Sequence, residues 1–441
     1  MKKRSKQAVI CECFFMLLLF SGCKETFYKE NPEIITDENG VVTSIPAIWE
    51  KDVSEGRYIW VYVAPMFHKD RVIVPGGLRE EIVPGANEAG MLIALDVATG
   101  EEAWRWNDYV EGYDFEEISS KEQLNRKDNV VIYNENNRFC AVNLDNGTTL
   151  WKDKREGRSN SNSLQVVGEH YYFPFKIERD KNTEVTVNVL MRGSIHSPDH
   201  EQLIEVPIER IQLFGDFYGS FRVPHVYVEN GSTKAFLAFN ENLNLYKGQS
   251  LFGYISYDIT AQTYDFEKVR LPDTAALPIV ERPVMIREMM VISAGDFMYG
   301  VNKHTGELVW TRKTFAGRLS NGRFMAAAYK DRLFAVNETG GRSLTMELNP
   351  FTGYTQWIDA GNGGHTHRML FFLNDVLYFI SRGDGRLYAY DINSGKMLWK
   401  LKSPDSEGFM SMQVHKGTAP DEEDMLVACS WKNAYRFAPA R

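Results

Sequence analysis

Five stretches of this chain repeat one pattern: "IALDVATGEEAW" (93–104), "CAVNLDNGTTLW" (140–151), "YGVNKHTGELVW" (299–310), "MELNPFTGYTQW" (346–357) and "YAYDINSGKMLW" (388–399). In each, a Gly sits four residues after an Asp or Asn and four before a Trp: Asp96/Gly100/Trp104, Asn143/Gly147/Trp151, Asn302/Gly306/Trp310, Asn349/Gly353/Trp357 and Asp391/Gly395/Trp399. The residues before the Asp or Asn alternate as a strand does, the carboxyl or amide oxygen can accept from backbone amides just downstream, and the Gly supplies positive φ. A second strand then carries the Trp. Such a ring covers an apolar seam between neighbouring units, which is expected here over a stacking platform for a ligand.

The glycines recur after 47 residues (Gly100 to Gly147, Gly306 to Gly353) and after 42 (Gly353 to Gly395). The gap from Gly147 to Gly306 holds two degenerate repeats, readable as "SLQVVGE", "HYYFPFKI", "EVTVNVLM", "QLIEVP" and as "FRVPHVYVE", "KAFLAFN", "SLFGYISYDI", "YDFEKVRL". Both lack the Gly and Trp of the pattern. Four strands per period of about 40 to 50 residues predict a β-propeller blade. At the end of the chain "GFMSMQVHK", "MLVACS" and "NAYRFAP" supply three strands, and "IPAIWEKDV" (45–53) supplies a Trp-bearing fourth. The fold expected is all-β: an eight-bladed propeller over 45–441 with four-stranded blades, its ring closed by the N-terminal strand joining the C-terminal blade, with Trp49 standing where the other five tryptophans stand.

Ahead of the ring, "MKKRSK" is basic, "CFFMLLLF" apolar, and "FSGC" places small residues before Cys23. This resembles a bacterial lipoprotein signal: residues 1–22 would be removed, Cys23 lipidated, and 23–44 would form a polar, lipid-anchored tether. The apolar run falls short of the about 20 residues that a spanning helix needs. Loss of residues 1–22 removes four basic residues and one acidic residue, taking the formal charge from −9 to −12, a poor surface for nucleic acid. Of the remaining cysteines, Cys140 and Cys429 lie in apolar strand patterns and are expected to be buried and free.

The motif Ala/Gly-x-Asp/Asn-x-x-x-Gly-x-x-x-Trp resembles the tryptophan-docking repeat of the quinoprotein, or PQQ-like, propellers, with Ala94, Ala141, Gly300 and Ala389 at its small position and Glu347 departing from it. The family divides into quinone-dependent dehydrogenases, which hold their cofactor over the ring with calcium and often a disulfide of adjacent cysteines, and BamB-like lipoprotein scaffolds. This chain has no Cys-Cys pair, no Gly-x-Ser-x-Gly, no His-Glu-x-x-His and no P-loop. The resemblance therefore implies a non-catalytic, lipid-anchored scaffold of the cell envelope, at the outer membrane, binding a protein partner through propeller loops, with no cofactor, metal or nucleic acid. A quinoprotein dehydrogenase or a degenerate relative is the alternative, and a glycan-binding surface lipoprotein, suggested by "CKET" after the cleavage point, is another.

Loops entering inner strands emerge on one face of a propeller. Asn321 and Arg323 precede "FMAAAY"; His365, His367 and Arg368, in "GNGGHTHR", precede "MLFFL"; Arg382 and Asp384 lie in a connection opening on the same face. These are the candidate binding residues. His365 and His367 share one side of an extended segment as metal ligands can, but no third ligand can be named, and a polar loop at the channel mouth is the expected role.

Overall fold

A computed structural model describes residues 34–441 apart from 55–57, 60–62, 80–88, 107, 109–123, 136–137, 155–157, 160–163, 181–184, 209–218, 222–223, 245–248, 276–280, 296, 314–322, 340–341, 361–368, 382 and 419–421. Among the described residues every regular element is a strand, and the strands form eight sheets. The protein is an eight-bladed β-propeller.

Blade 2 shows the plan: Asn125–Lys127, Val130–Glu135, Arg138–Asn143 and Thr149–Lys154 pair antiparallel in chain order, innermost to outermost. Blade 1 spans 66–106, blade 3 165–205, blade 4 225–275, blade 5 284–313, blade 6 323–360 and blade 7 371–401; the degenerate repeats are blades 3 and 4. Second and third strands lie between the sheets before and after, so both of their faces are apolar and they read as unbroken runs: Val376–Ile380, Leu387–Asp391 and Met425–Cys429 are buried at every position. First and second strands join through tight turns with left-handed backbone, as at Lys330 and Asp331 (φ 49° and 60°) and at Asn374 and Asp375 (φ 50° and 59°).

Blade 8 takes Ser411–His415, Met425–Cys429 and Asn433–Phe437 from the end of the chain and Trp49–Asp52 from its start, in the register Trp49 to Arg436 and Asp52 to Asn433. The N-terminal stretch does more than this. Val42–Ser44 runs parallel to the outer strand of blade 7, with Val42 opposite Trp399, and Ile35–Thr36 pairs beyond it. The expected polar tether over 23–44 is therefore corrected in its second half, which is a belt on blade 7. Val42 and Ile45 pack into the core that contains Trp399, and a reading of composition passes over two apolar residues among polar ones.

Blades 3 and 4 are taller than the rest. Their second and third strands are His170–Asp180 and Val185–Ser194, then Ser232–Asn244 and Gln249–Asp258, and the fourth strand of blade 4 is Thr263–Ala275. Short extra strands, Arg158–Ser159 and Gly219–Phe221, pair with the extended ends, and Tyr58–Ile59 does the same in blade 1. Cys140 and Cys429 are free and buried, and burial pushes both thiols up to about 12.

Candidate functional site

The repeated turns explain how the blades are joined. Asp96 Oδ1 accepts from the amides of Ala98 and Thr99 at 3.0 and 2.8 Å, and Asn302, Asn349 and Asp391 do the same in their turns. In four of the five turns the closing Gly leaves space for an indole from the blade before. A Cβ on Gly100 would meet Trp49, on Gly147 Trp104, on Gly353 Trp310 and on Gly395 Trp357, all at 2.5 to 2.8 Å. The indole N–H of Trp49 donates to Val97 O (2.8 Å), that of Trp310 to Pro350 O (2.8 Å) and that of Trp357 to Ile392 O (2.9 Å), in each case the carbonyl three residues before the docking Gly. Trp151 donates to Ile195 O in the Gly-free turn of blade 3.

Two seams depart from the pattern in ways sequence reading missed. Gly306 is met by Phe266 of blade 4, so the degenerate blade keeps the contact with a smaller ring. Trp399 has no following Gly turn, because that connection is divided between the two ends of the chain, and Val42 and Ile45 of the belt share its core instead.

The face carrying these turns is crossed by polar links from blade to blade. Lys69 and His68 reach Asp145 of blade 2 at 2.6 and 2.8 Å. Arg126 donates to His68 Nδ1 (2.8 Å), so Nδ1 accepts and Nε2–H faces the carboxylate. The Lys69 and His68 bonds hold the Asp145 carboxyl well below the usual range. Lys303, almost fully buried, reaches Glu229 (2.7 Å), Arg287 Asp331 (2.7 Å), Lys330 Asp375 (2.7 Å) and Lys51 Glu101 (3.1 Å).

Of the candidate binding residues, Arg323 and Asp384 are described, and both lie toward the other face. Asn321, His365, His367, Arg368 and Arg382 lie outside the described residues. Arg323 opens the inner strand Arg323–Tyr329 of blade 6, its backbone opposite Glu338. Asp384 accepts from the Tyr388 hydroxyl at 2.7 Å and from the Arg386 amide at 3.2 Å. Burial and the neighbouring Asp384 carboxylate raise the Tyr388 phenol, so Tyr388 stays a donor. This turn abuts the entry to blade 8, where Phe409 N donates to Gly385 O at 2.7 Å. Next to it Asp405 accepts from Ser403 Oγ (2.6 Å), from Asn433 Nδ2 (3.1 Å) and from Ser430 Oγ. Burial acts to raise this carboxyl, and the bonds from Ser403 and Ser430 overcome it, leaving it lowered. Lys432 pairs with Glu407 at 3.1 Å. The structure thus joins Asp384 to a polar cluster around Asp405 that no motif announced; only the Asp-x-Glu-Gly turn composition of 405–408 hints at it.

On this face the second strands differ in length: they run 11 and 13 residues in blades 3 and 4 and 9 in blade 1, against 6, 5 and 5 in blades 5, 7 and 8. Among the described residues no group of three or more His, Cys, Asp or Glu side chains could hold a metal ion.

Fold and docking repeats together define a PQQ-like propeller. The chain belongs to the family described as outer membrane protein assembly factor BamB, whose model matches residues 38–179 and 277–430, more than half of the chain. A search of curated proteins found no match. Among solved structures, a europium-containing methanol dehydrogenase is similar at 10% identity and a TM-score of 0.58, over 89% of this chain and 93% of that one. The quinohemoprotein alcohol dehydrogenase ADHIIG of Pseudomonas putida HK5 is similar at 10% identity and a TM-score of 0.56, over 88% and 75%. BamB from Moraxella catarrhalis aligns at 14% identity and a TM-score of 0.45, over 70% and 78%. Likeness at these identities concerns the fold alone. The residues outside the family match, 180–276, hold the tall hairpin of blade 3 from its turn onward and all of blade 4.

Proposed function

We propose that the chain is a non-catalytic scaffold of the bacterial cell envelope, lipid-anchored through Cys23 at the outer membrane, that binds a protein partner on the face carrying Asp384, Asp405 and the tall hairpins of blades 3 and 4. The observation that carries this reading is membership of a family described by outer-membrane protein assembly. The lipoprotein-like signal before Cys23 and the net charge of −12 after its removal support it, since both suit an exported protein that does not bind nucleic acid. Photo-crosslinking from Lys432 and Glu407 in intact cells, followed by identification of what is captured, tests it. An envelope protein captured from this face and not from the opposite one supports the reading, and capture of none counts against it.

The dehydrogenase reading has the shared fold in its favour. Adding PQQ and calcium to the purified chain separates the two: a bound-quinone spectrum with dye reduction by alcohols or sugars, lost on chelation, would replace the scaffold assignment.

A further inference from the structure

The belt fixes where the described chain begins on the ring. Val42–Ser44 runs parallel to the outer strand of blade 7, toward the face of Asp384, and Ile35–Thr36 returns antiparallel beside it with Ile35 opposite Ser44. The described chain therefore begins on the outer rim of blade 7, on the Asp384 side. Ile34 and Ile35 stand exposed there, at 65% and 57% of their surface, on the free edge of a six-stranded sheet. The edge is rigidly built: Asp37 Oδ1 accepts from the amides of Asn39 and Val41 at 2.9 Å each, and Val42, Ile45 and Ala47 are packed into the core of blades 7 and 8. Between Cys23 and Ile34 lie eleven residue steps, which reach at most about 40 Å when fully extended and about half that on average as a flexible chain. With eight blades, blade 3 is diametrically across the ring from blade 7.

We infer that the rim of blade 7, at Ile34 and Ile35, rests on the surface of the lipid bilayer, so that the ring stands with blade 3 farthest from the membrane and blades 2 and 4 beside it. This rests on the lipid-anchor reading of Cys23 and adds an orientation to it. The partner is a bilayer of low net charge: the contact offered is two isoleucines, with the carboxylates Asp37 and Glu38 close by in sequence and Lys400 on, and Lys402 just past, the outer strand of blade 7, and the mature chain is acidic overall. The tall hairpins of blades 3 and 4, of which the family match covers only the first strand of the blade 3 pair, are then presented away from the lipid.

The test uses the full lipidated chain in vesicles of phosphatidylcholine and phosphatidylethanolamine that contain a headgroup nitroxide quencher. A fluorophore is placed at Ile35→Cys or at Gln202→Cys on the exposed outer strand of blade 3; the buried Cys140 and Cys429 are poor labelling sites. Flotation with the vesicles, and its loss in Cys23→Ser, reports the anchor. Quenching several-fold greater at 35 than at 202, reduced by Ile34→Ser without loss of flotation, is the expected result. Flotation with equal quenching at the two sites, or greater quenching at 202, overturns the orientation while leaving the anchor standing. Failure to float overturns the anchor and the orientation with it.

Discussion

Trp310 of blade 5 lies against Gly353 of blade 6 so closely that a Cβ there would be 2.7 Å from Trp310 Cε3, while the indole N–H donates to Pro350 O at 2.8 Å. Gly353 also has φ +71°, so Gly353→Ala adds left-handed backbone strain to overpacking and should cost about 2 to 4 kcal/mol. Gly231, at φ +80° with nothing within 4 Å of its Cβ position, isolates the backbone term; Gly231→Ala should cost about 1 to 2 kcal/mol. Urea melts of both variants check the difference. Equal losses would mean the docked ring gives way freely.

Phe266 against Gly306 is the same joint with a smaller ring. Phe266→Ala should destabilise by about 2 to 3 kcal/mol, less than the about 3 to 5 for a fully buried Phe because this ring is only partly buried. Phe266→Leu should recover most of that in the same melts, since the joint is apolar contact with no indole hydrogen bond to replace.

Ring closure can be measured by deletion. Trp49→Ala removes a buried ring and its bond to Val97 O, and should cost about 3 to 5 kcal/mol. Deleting residues 34–44 should also lower the melting temperature, by less, because it uncovers Trp399 and the edge of blade 7 but leaves blade 8 complete. A belt deletion that melts with the parent would show that those strands add no stability.

His225, on the inner strand of blade 4, has its imidazole brought down to about 3 from 6.5, first by burial and then by the charge of Arg282. The folded protein keeps it neutral while the unfolded chain takes up a proton below pH 6.5. This contribution is therefore fully present above pH 6.5 and lost as the pH falls toward 3, with a slope of about 1.4 kcal/mol per pH unit. Melts of the parent and of His225→Asn across this range should show the shallower acid slope in the variant.

The ring was legible in the sequence because its joints are written locally: an Asp or Asn, a Gly and a Trp at fixed spacing describe one turn and one docked side chain. Blade 8 could be assembled from both ends because a ring with three strands left over needs a fourth. What could not be read was whatever one segment does to a distant one. Val42 looks like any residue of a polar leader until it lies against Trp399, and Phe266 looks like any strand aromatic until Gly306 is placed opposite it. The candidate site was legible only as a face. Asp384 was expected as a loop residue on the channel side, but its bond to Tyr388 and its proximity to the Asp405 cluster depend on which connections meet between blades 7 and 8.

The pairing of Trp49 with Arg436 sets an order of events. These partners are separated by almost the whole chain, so the contact that completes the ring is also the one with the largest loop to close. A chain emerging from N to C terminus can build blades 1 to 7 in turn, but Trp49–Asp52 must wait unpaired until Asn433–Phe437 has been made. Until then the apolar faces of blade 1 and of the last blade made stay open at the two ends of the arc, with Trp49–Asp52 unpaired, and the incomplete protein is exposed to association. Folding speed should accordingly depend on this last encounter rather than on the formation of any single blade.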